Sequence, residues 1–287
     1  MAEFLQISSS KGVLELTSDL FEQKPFDARY QSIRYHTYHP IAPVAQNSKS
    51  IEFQLPEITS KCCYLTNNIL LMLEVKMVKK DQNTAVDKTI MAAPVANIMH
   101  SLWDKVTLQV GDKELNQSPD CYHLRAYLQS VMNFTVEAQM EKCFMQGMLR
   151  DTTLVYDSFD TTKNDGFKNR RNLFFHRAEL EADRHYVTRP FQFCSVLYHD
   201  LCQNDRPILW GVPLKFVLTK APRAFYMGCA TADMEKDFEL VITNIELRVQ
   251  IAILSEKMIT HIAKSLTEKK PALYYYRRFQ VAKKPIG

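Results

Sequence analysis

FELVITNIELRVQIAIL, residues 238–254, decides the architecture. Ile245, Leu247, Val249 and Ile251 fall on one side of a period-2 pattern, and Asn244, Glu246, Arg248 and Gln250 fall on the other. That alternation predicts an antiparallel strand with one face buried and one in water. A run of 17 residues is long for one strand, so a bend or bulge is expected within it. Downstream the period changes. Ser255 caps a predicted helix, EKMITHIAKSLTEKK, whose apolar stripe is Met258, Ile259, Ile262, Ala263 and Leu266. Glu256 at its start and Lys269 and Lys270 at its end suit the helix dipole, and Pro271 stops it. In ALYYYRRFQVAKK, Leu273, Tyr275, Arg277, Phe279 and Val281 then alternate with Tyr274, Tyr276, Arg278 and Gln280, as in a further strand.

Upstream, more strands are predicted at IEFQL (51–55), ILLMLEVKMV (69–78), VTLQVGDKEL (106–115), LFFHRAEL (173–180), FQFCSVL (191–197) and VPLKFVLTK (212–220). The 69–78 run is apolar on both faces at its start, so one end is expected to be covered on both sides. Gly111-Asp112 suits a two-residue hairpin turn. Two helices interrupt the pattern. One follows Ser118-Pro119-Asp120 with a stripe of Leu124, Tyr127, Leu128, Val131 and Met132. The other covers about 135–146, with Met140, Cys143 and Phe144 inward and Gly147 as its stop. NDGFKNRRN (164–172) reads as a basic turn. Seven or eight strands without alternating helices favour an all-β fold over α/β: a β-sandwich whose connections are interrupted by helices. The domain reading is an extended N-terminal arm over 1–44, a sandwich domain over 45–254 with a helical insertion at 119–147, and a helix plus orphan strand over 255–287.

The chain has 287 residues, 46% hydrophobic and 24% charged, as expected of a globular protein. Its net charge of +4 is unevenly placed. Residues 269–287 hold six Lys/Arg and no Asp/Glu, which leaves 30 basic and 32 acidic groups, −2, for the rest. A near-neutral body argues against a nucleic-acid-binding body, and Arg277, Arg278, Lys283 and Lys284 are the candidate nucleic-acid contacts. Seven scattered cysteines without CxxC, and no signal-like start, predict reduced thiols in an intracellular folding environment. No apolar run reaches the roughly 20 residues of a membrane span.

No catalytic or cofactor-binding pattern is found. GxGxxG, the P-loop and GxSxG are all missing. His36 and His39 lack a third placed metal ligand. Cys194, His199, Asp200 and Cys202 match no ligand spacing, and Cys194 lies among strand apolars. Lys168, Arg170 and Arg171 form a basic run suited to a solvated loop, a subunit contact or nucleic acid. Trp103 and Trp210 sit at strand boundaries, as interface anchors or as core.

Several stretches together resemble one family. HSLWDKVTLQVGDKELN (100–116), YHLRAYLQSVMNFTVEAQ (122–139), RDT (150–152), NDGFKNRRNLF (164–174), LYHDLCQNDRPILWGVPLKFVLTKA (197–221) and FELVITNIELRVQIAILSEKMITHIAKSL (238–266) are similar, in order and spacing, to the major capsid protein of Polinton/Maverick elements and adintovirus-like DNA viruses. LTSDLF (16–21), YHP (38–40) and IEFQL (51–55) fit its beginning. The resemblance implies a double jelly roll built of two eight-stranded antiparallel jelly-roll sandwiches, of which this chain holds the first, a jelly-roll domain over 45–254 with helical insertions, then a linker helix and the first strand of the second. It implies no enzyme activity and no cofactor, homotrimeric capsomers in an icosahedral virion, and penton or minor capsid proteins as further partners. It implies trimer contacts through the 120–150 insertion and the 164–172 turn, and an arm that reaches a neighbour. The candidate interface residues are Trp103, Tyr127, Phe134, Lys168, Arg170, Arg171 and Trp210. The alternative is a jelly-roll binding module that contacts nucleic acid or another ligand through the basic C-terminal segment.

Overall fold

The structure, a computed structural model, describes residues 29–45, 48–79, 85–86, 91–115, 121–156, 158–177, 186–204, 206–230, 238–275 and 281. Eight strands carry the fold: β1 (Tyr30–Tyr38), β2 (Ser50–Leu55), β3 (Cys62–Lys79), β4 (Trp103–Val110), β5 (Lys113–Leu115), β6 (Pro190–Val196), β7 (Leu214–Lys220) and β8 (Phe238–Leu254). One sheet runs β1-β8-β3-β6 and the other β2-β7-β4-β5. All these pairings are antiparallel. The order is that of a long ribbon folded at the β4–β5 hairpin, which pairs β3 with β6, β2 with β7 and β1 with β8 in alternate layers. That winding is a jelly roll.

The two inner faces share one core. Phe53, Leu55, Leu108 and Phe216 come from one sheet, and Leu71, Leu73, Val75, Phe193 and Leu247 from the other, all essentially inaccessible. Strand alternation explains the set, because each contributes every second residue. β8 does this in two phases. Phe238, Leu240 and Ile242 are buried, Thr243 and Asn244 are both exposed, and Ile245, Leu247 and Val249 are buried again. The register slips between Ile242 and Asn244, so the expected bulge is present and shifts the inward face by one residue. A second slip opposite Arg248 and Gln250 lies on β3, where Leu70 and Leu65 are the successive partners.

The sequence reading is corrected in three places. Residues 30–38, read as part of the arm, are β1, and its register runs from Tyr30 opposite Leu254 to Tyr38 opposite Leu247. As an edge strand it is exposed on both faces along most of its length, so backbone pairing forms it without a hydrophobic period. The second correction concerns 164–172, which forms no turn. It is the start of α3 (Asp165–Phe174), capped by Asn164, whose Oδ1 accepts the Phe167 N–H at 3.1 Å. The expected strand at 173–180 is then only Phe175–Arg177, with residues beyond it outside the description. Finally, the described part of the C-terminal segment, 271–275, is irregular rather than a strand.

Among the described residues, three helices stand in the β5–β6 connection: α1 (Tyr122–Asn133), α2 (Val136–Lys142) and α3. A 3₁₀ turn at Phe144–Gln146 follows α2 and ends on Gly147 at φ 76°, the left-handed stop expected there. The last helix, α4 (Glu256–Thr267), lies on the outer face of the β1-β8-β3-β6 sheet. Its Met258, Ile259 and Ile262 cover Cys63, Leu65, Ala252 and Leu254. Ser255 occupies the N-cap position with extended backbone, but its side chain makes no capping bond.

Candidate subunit interface

The helical insertion is anchored by buried polar groups that form a directed chain. The Tyr122 hydroxyl accepts the Tyr198 N–H at 3.3 Å and faces His100 Nδ1 at 3.0 Å. His100 Nε2 faces the Ser195 hydroxyl at 2.9 Å, and Ser195 donates to Gln146 Oε1 at 2.9 Å. Gln146 Nε2 donates to Ser130 Oγ at 3.3 Å, and Ser130 donates back to the Ala126 carbonyl at 2.9 Å. Each donor has one acceptor only if His100 is neutral with its proton on Nε2 and Tyr122 donates to Nδ1. Burial agrees, since desolvation pushes His100 down to about 3. This chain ties α1 (Tyr122, Ser130) and the 3₁₀ turn (Gln146) to the one-turn helix Ile98–Ser101 and to β6 (Ser195). A histidine with so low a basicity is a poor general base at neutral pH, so the Ser195–His100 pair is a strut rather than a nucleophile and its base.

Two further anchors hold the insertion. Arg125 of α1 and Asp200 form a buried ion pair at 2.5 Å. His199 beside it accepts the Leu201 N–H at 3.2 Å, and burial together with Arg125 pushes its basicity down to about 3. The second anchor joins RDT (150–152) to NDGFKNRRNLF (164–174). Asn164 accepts the N–H groups of Thr152 and Phe167 and donates to the carbonyls of Val155 and Ser158. Arg170 donates to Asp151 at 2.6 Å, to the Pro94 carbonyl at 2.8 Å and to the Leu149 carbonyl. A Cβ at Gly166 would stand 2.0 Å from the Arg150 carbonyl oxygen, so α3 packs directly on that backbone.

The outward side of the anchored insertion carries many apolar side chains among Asn133, Thr135, Glu137, Glu141 and Lys142. The predicted stripe of α1 proves to be largely outside. Tyr127, Leu128 and Met132 are exposed, the last by 79%, while Tyr122, His123, Arg125, Ala126 and Ser130 face inward. On the second segment Met140 and Phe144 were expected inward and lie outward instead, whereas Cys143 is buried. The buried polar network explains both reversals: hydrogen-bonding residues, joined by the small Ala126 and Cys143, dock these helices on the sandwich in place of the large apolar side chains. Val136, Met140, Phe144 and Tyr156 line one groove of about 510 Å³ with Arg150 and Asp151.

The predicted interface residues divide accordingly. Tyr127 is on the exposed face, and Phe134 is half-buried at the α1–α2 corner, its carbonyl accepting from Gln139 at 2.8 Å. Lys168 is exposed. Arg170 and Arg171 are not a solvated pair. Both are buried, Arg170 in its clamp and Arg171 over the Phe175 ring at 5.1 Å. Trp103 is fully buried in the core, and Trp210 packs half-buried in the cluster beneath α4. Arg277, Arg278, Lys283 and Lys284 lie outside the described residues. His36 and His39 line different grooves and do not converge. Among the described residues no group of three or more His, Cys, Asp and Glu could hold a metal, and no helix is long and apolar enough to cross a membrane.

Strand order and the helical β5–β6 connection place the chain among jelly-roll sandwiches. No protein-family profile matches the chain, and no curated protein matches it significantly. Among solved structures, the fold is similar to a chain in the cryo-EM structure of the Sputnik virophage, with a TM-score of 0.52, 9% identity, and coverage of 82% of this chain and 50% of that one. Lower-scoring likenesses are the Faustovirus major capsid protein (TM-score 0.47, 9% identity, 93% and 64% covered) and the mavirus major capsid protein (0.41, 11%, 83% and 49%). The chain therefore spans about half the length of the Sputnik chain it matches.

Proposed function

We propose that the chain is a structural subunit of a viral capsid, of the kind found in Polinton/Maverick elements and adintovirus-like viruses, and that it associates with copies of itself as a homotrimer. The carrying observation is the insertion between β5 and β6. Its inner side is fixed by a saturated polar network and two buried arginines, while Tyr127, Leu128, Met132, Val136, Met140 and Phe144 face outward. Six exposed apolar side chains on a rigid mount suit a permanent contact. The jelly-roll order shared with the Sputnik chain, and the ordered sequence blocks, support a shell as the setting. On this reading the occupant of the face is a second copy, the work is packing rather than catalysis, and penton or minor capsid proteins are the remaining partners in the virion.

Light scattering on the full chain at micromolar concentration tests it. Trimers or larger assemblies are expected. Met140→Glu with Phe144→Glu should return the protein to monomer without lowering its melting temperature. A folded wild-type chain that stays strictly monomeric overturns the proposal.

A further inference from the structure

After α4 the chain does not leave the sandwich freely. The Asn204 side-chain amide donates to the Tyr275 carbonyl at 2.7 Å, and Arg206 Nη1 donates to the Leu273 carbonyl at 2.6 Å. Between these two carbonyls the Tyr274 ring turns inward against the main core, and its hydroxyl donates to the Pro207 carbonyl at 2.9 Å. Asn204 Oδ1 accepts the Arg206 N–H at 2.8 Å, which fixes the amide so that its NH₂ faces the Tyr275 carbonyl. The Arg206 guanidinium also lies 5.9 Å from the Tyr275 ring centre. Two donors thus read carbonyls two residues apart, and a socket takes the side chain between them.

We infer that Asn204, Arg206 and Pro207 form a binding site for an extended peptide segment centred on a tyrosine, filled here by the chain's own Leu273–Tyr275. The recognition is mainly of backbone, so only the central residue is strongly specified. The site also controls α4. That helix has no fully buried residue, and only Met258, Ile259 and Ile262 pack against the sheet. Its C-terminal end is secured by the strap that follows it. Opening the strap therefore loosens α4 and uncovers Cys63, which is inaccessible beneath it, whereas Cys62 next to it is partly accessible.

The test uses the full chain and its Tyr274→Ala variant. The probe is a fluorescein-labelled peptide of sequence PALYYYRR, residues 271–278. Its anisotropy should report binding to the variant, whose socket is empty, at least tenfold tighter than to the wild type, whose socket is filled. The same peptide with alanine at its fourth position should not bind. In parallel, maleimide labelling read by peptide mass spectrometry should modify Cys63 at least tenfold faster in the variant. Arg206→Ala, a surface change that leaves the Tyr274 ring in place, should raise Cys63 labelling several-fold, and this keeps the idea testable if Tyr274→Ala misfolds. If the peptide fails to bind a folded Tyr274→Ala chain, the site is refuted. Equal Cys63 labelling in wild type and Arg206→Ala refutes the control of α4.

Discussion

Lowering the pH from 7 to 5 should destabilise this protein through two histidines. His100 and His199 are both buried, and both are pushed down to about 3, chiefly by desolvation. An unfolded histidine takes up its proton near pH 6.5. Between about 6.5 and 3 the unfolded chain therefore binds more protons than the folded one, and stability falls as pH falls. For one group with these two values the loss between pH 7 and pH 5 is about 2 kcal/mol, or about 4 kcal/mol for both. The structure explains why His100 resists the proton. A proton on Nδ1 would face the Tyr122 hydroxyl, which already accepts the Tyr198 N–H and would be left with its own hydrogen unpaired. His199 accepts the Leu201 N–H on Nδ1 and stands beside Arg125. Urea unfolding at half-unit steps from pH 7.5 to 5 measures the slope. His100→Gln should remove about half of it while retaining a fold. A wild-type stability that is flat over this window, or a His100→Gln slope equal to that of wild type, would refute the reasoning.

Three other perturbations test the anchors. Arg125→Leu leaves Asp200 buried without its cation and should cost about 3–5 kcal/mol, read as a lowered denaturation midpoint. Asn164→Ala removes the α3 cap and leaves the Ser158 carbonyl without its donor, while the Val155 carbonyl keeps the Ser158 N–H, so about 2–3 kcal/mol should be lost, with faster proteolysis between 150 and 164 as the local signature. Gly166→Ala forces a methyl against the Arg150 carbonyl and should cost about 3 kcal/mol in a thermal melt, whereas the same change at Gly111, where nothing lies within 4 Å, meets no clash and should cost only the roughly 1–2 kcal/mol of a left-handed backbone at φ 59°.

The sandwich was legible because its strands are half-buried. Alternation in 51–55, 106–115, 212–220 and 238–254 gave the layers, and the length of the last run signalled its bulge. β1 was not legible in that way, because an edge strand exposed on both faces carries no period. The interface was only half legible. Leu128, Met132, Met140 and Phe144 stood out as helical stripes, but a stripe does not say whether it meets the core or a neighbour. That choice was made by Tyr122, Ser130 and Gln146, polar residues whose partners at His100 and Ser195 are distant in sequence. Lys168, Arg170 and Arg171 looked alike as a basic run. Helical geometry separates them, turning Arg170 inward to three acceptors and leaving Lys168 outside.

The bulge at Thr243–Asn244 makes β8 two strands spliced end to end. Each half carries its own inward set, Phe238–Ile242 and Ile245–Ile251, and the splice lets both face the same core. If the strand kept every residue but lost the bulge, the two sets would fall on opposite faces and Phe238, Leu240 and Ile242 would lie in water. Removing one residue at the splice instead brings both sets into one unbroken alternation and matches the facing strand residue for residue, since Ile242 and Asn244 already face the successive residues Val75 and Glu74. A single-residue deletion at the splice should therefore be far milder than one inside either half, which turns part of an inward set out of the core.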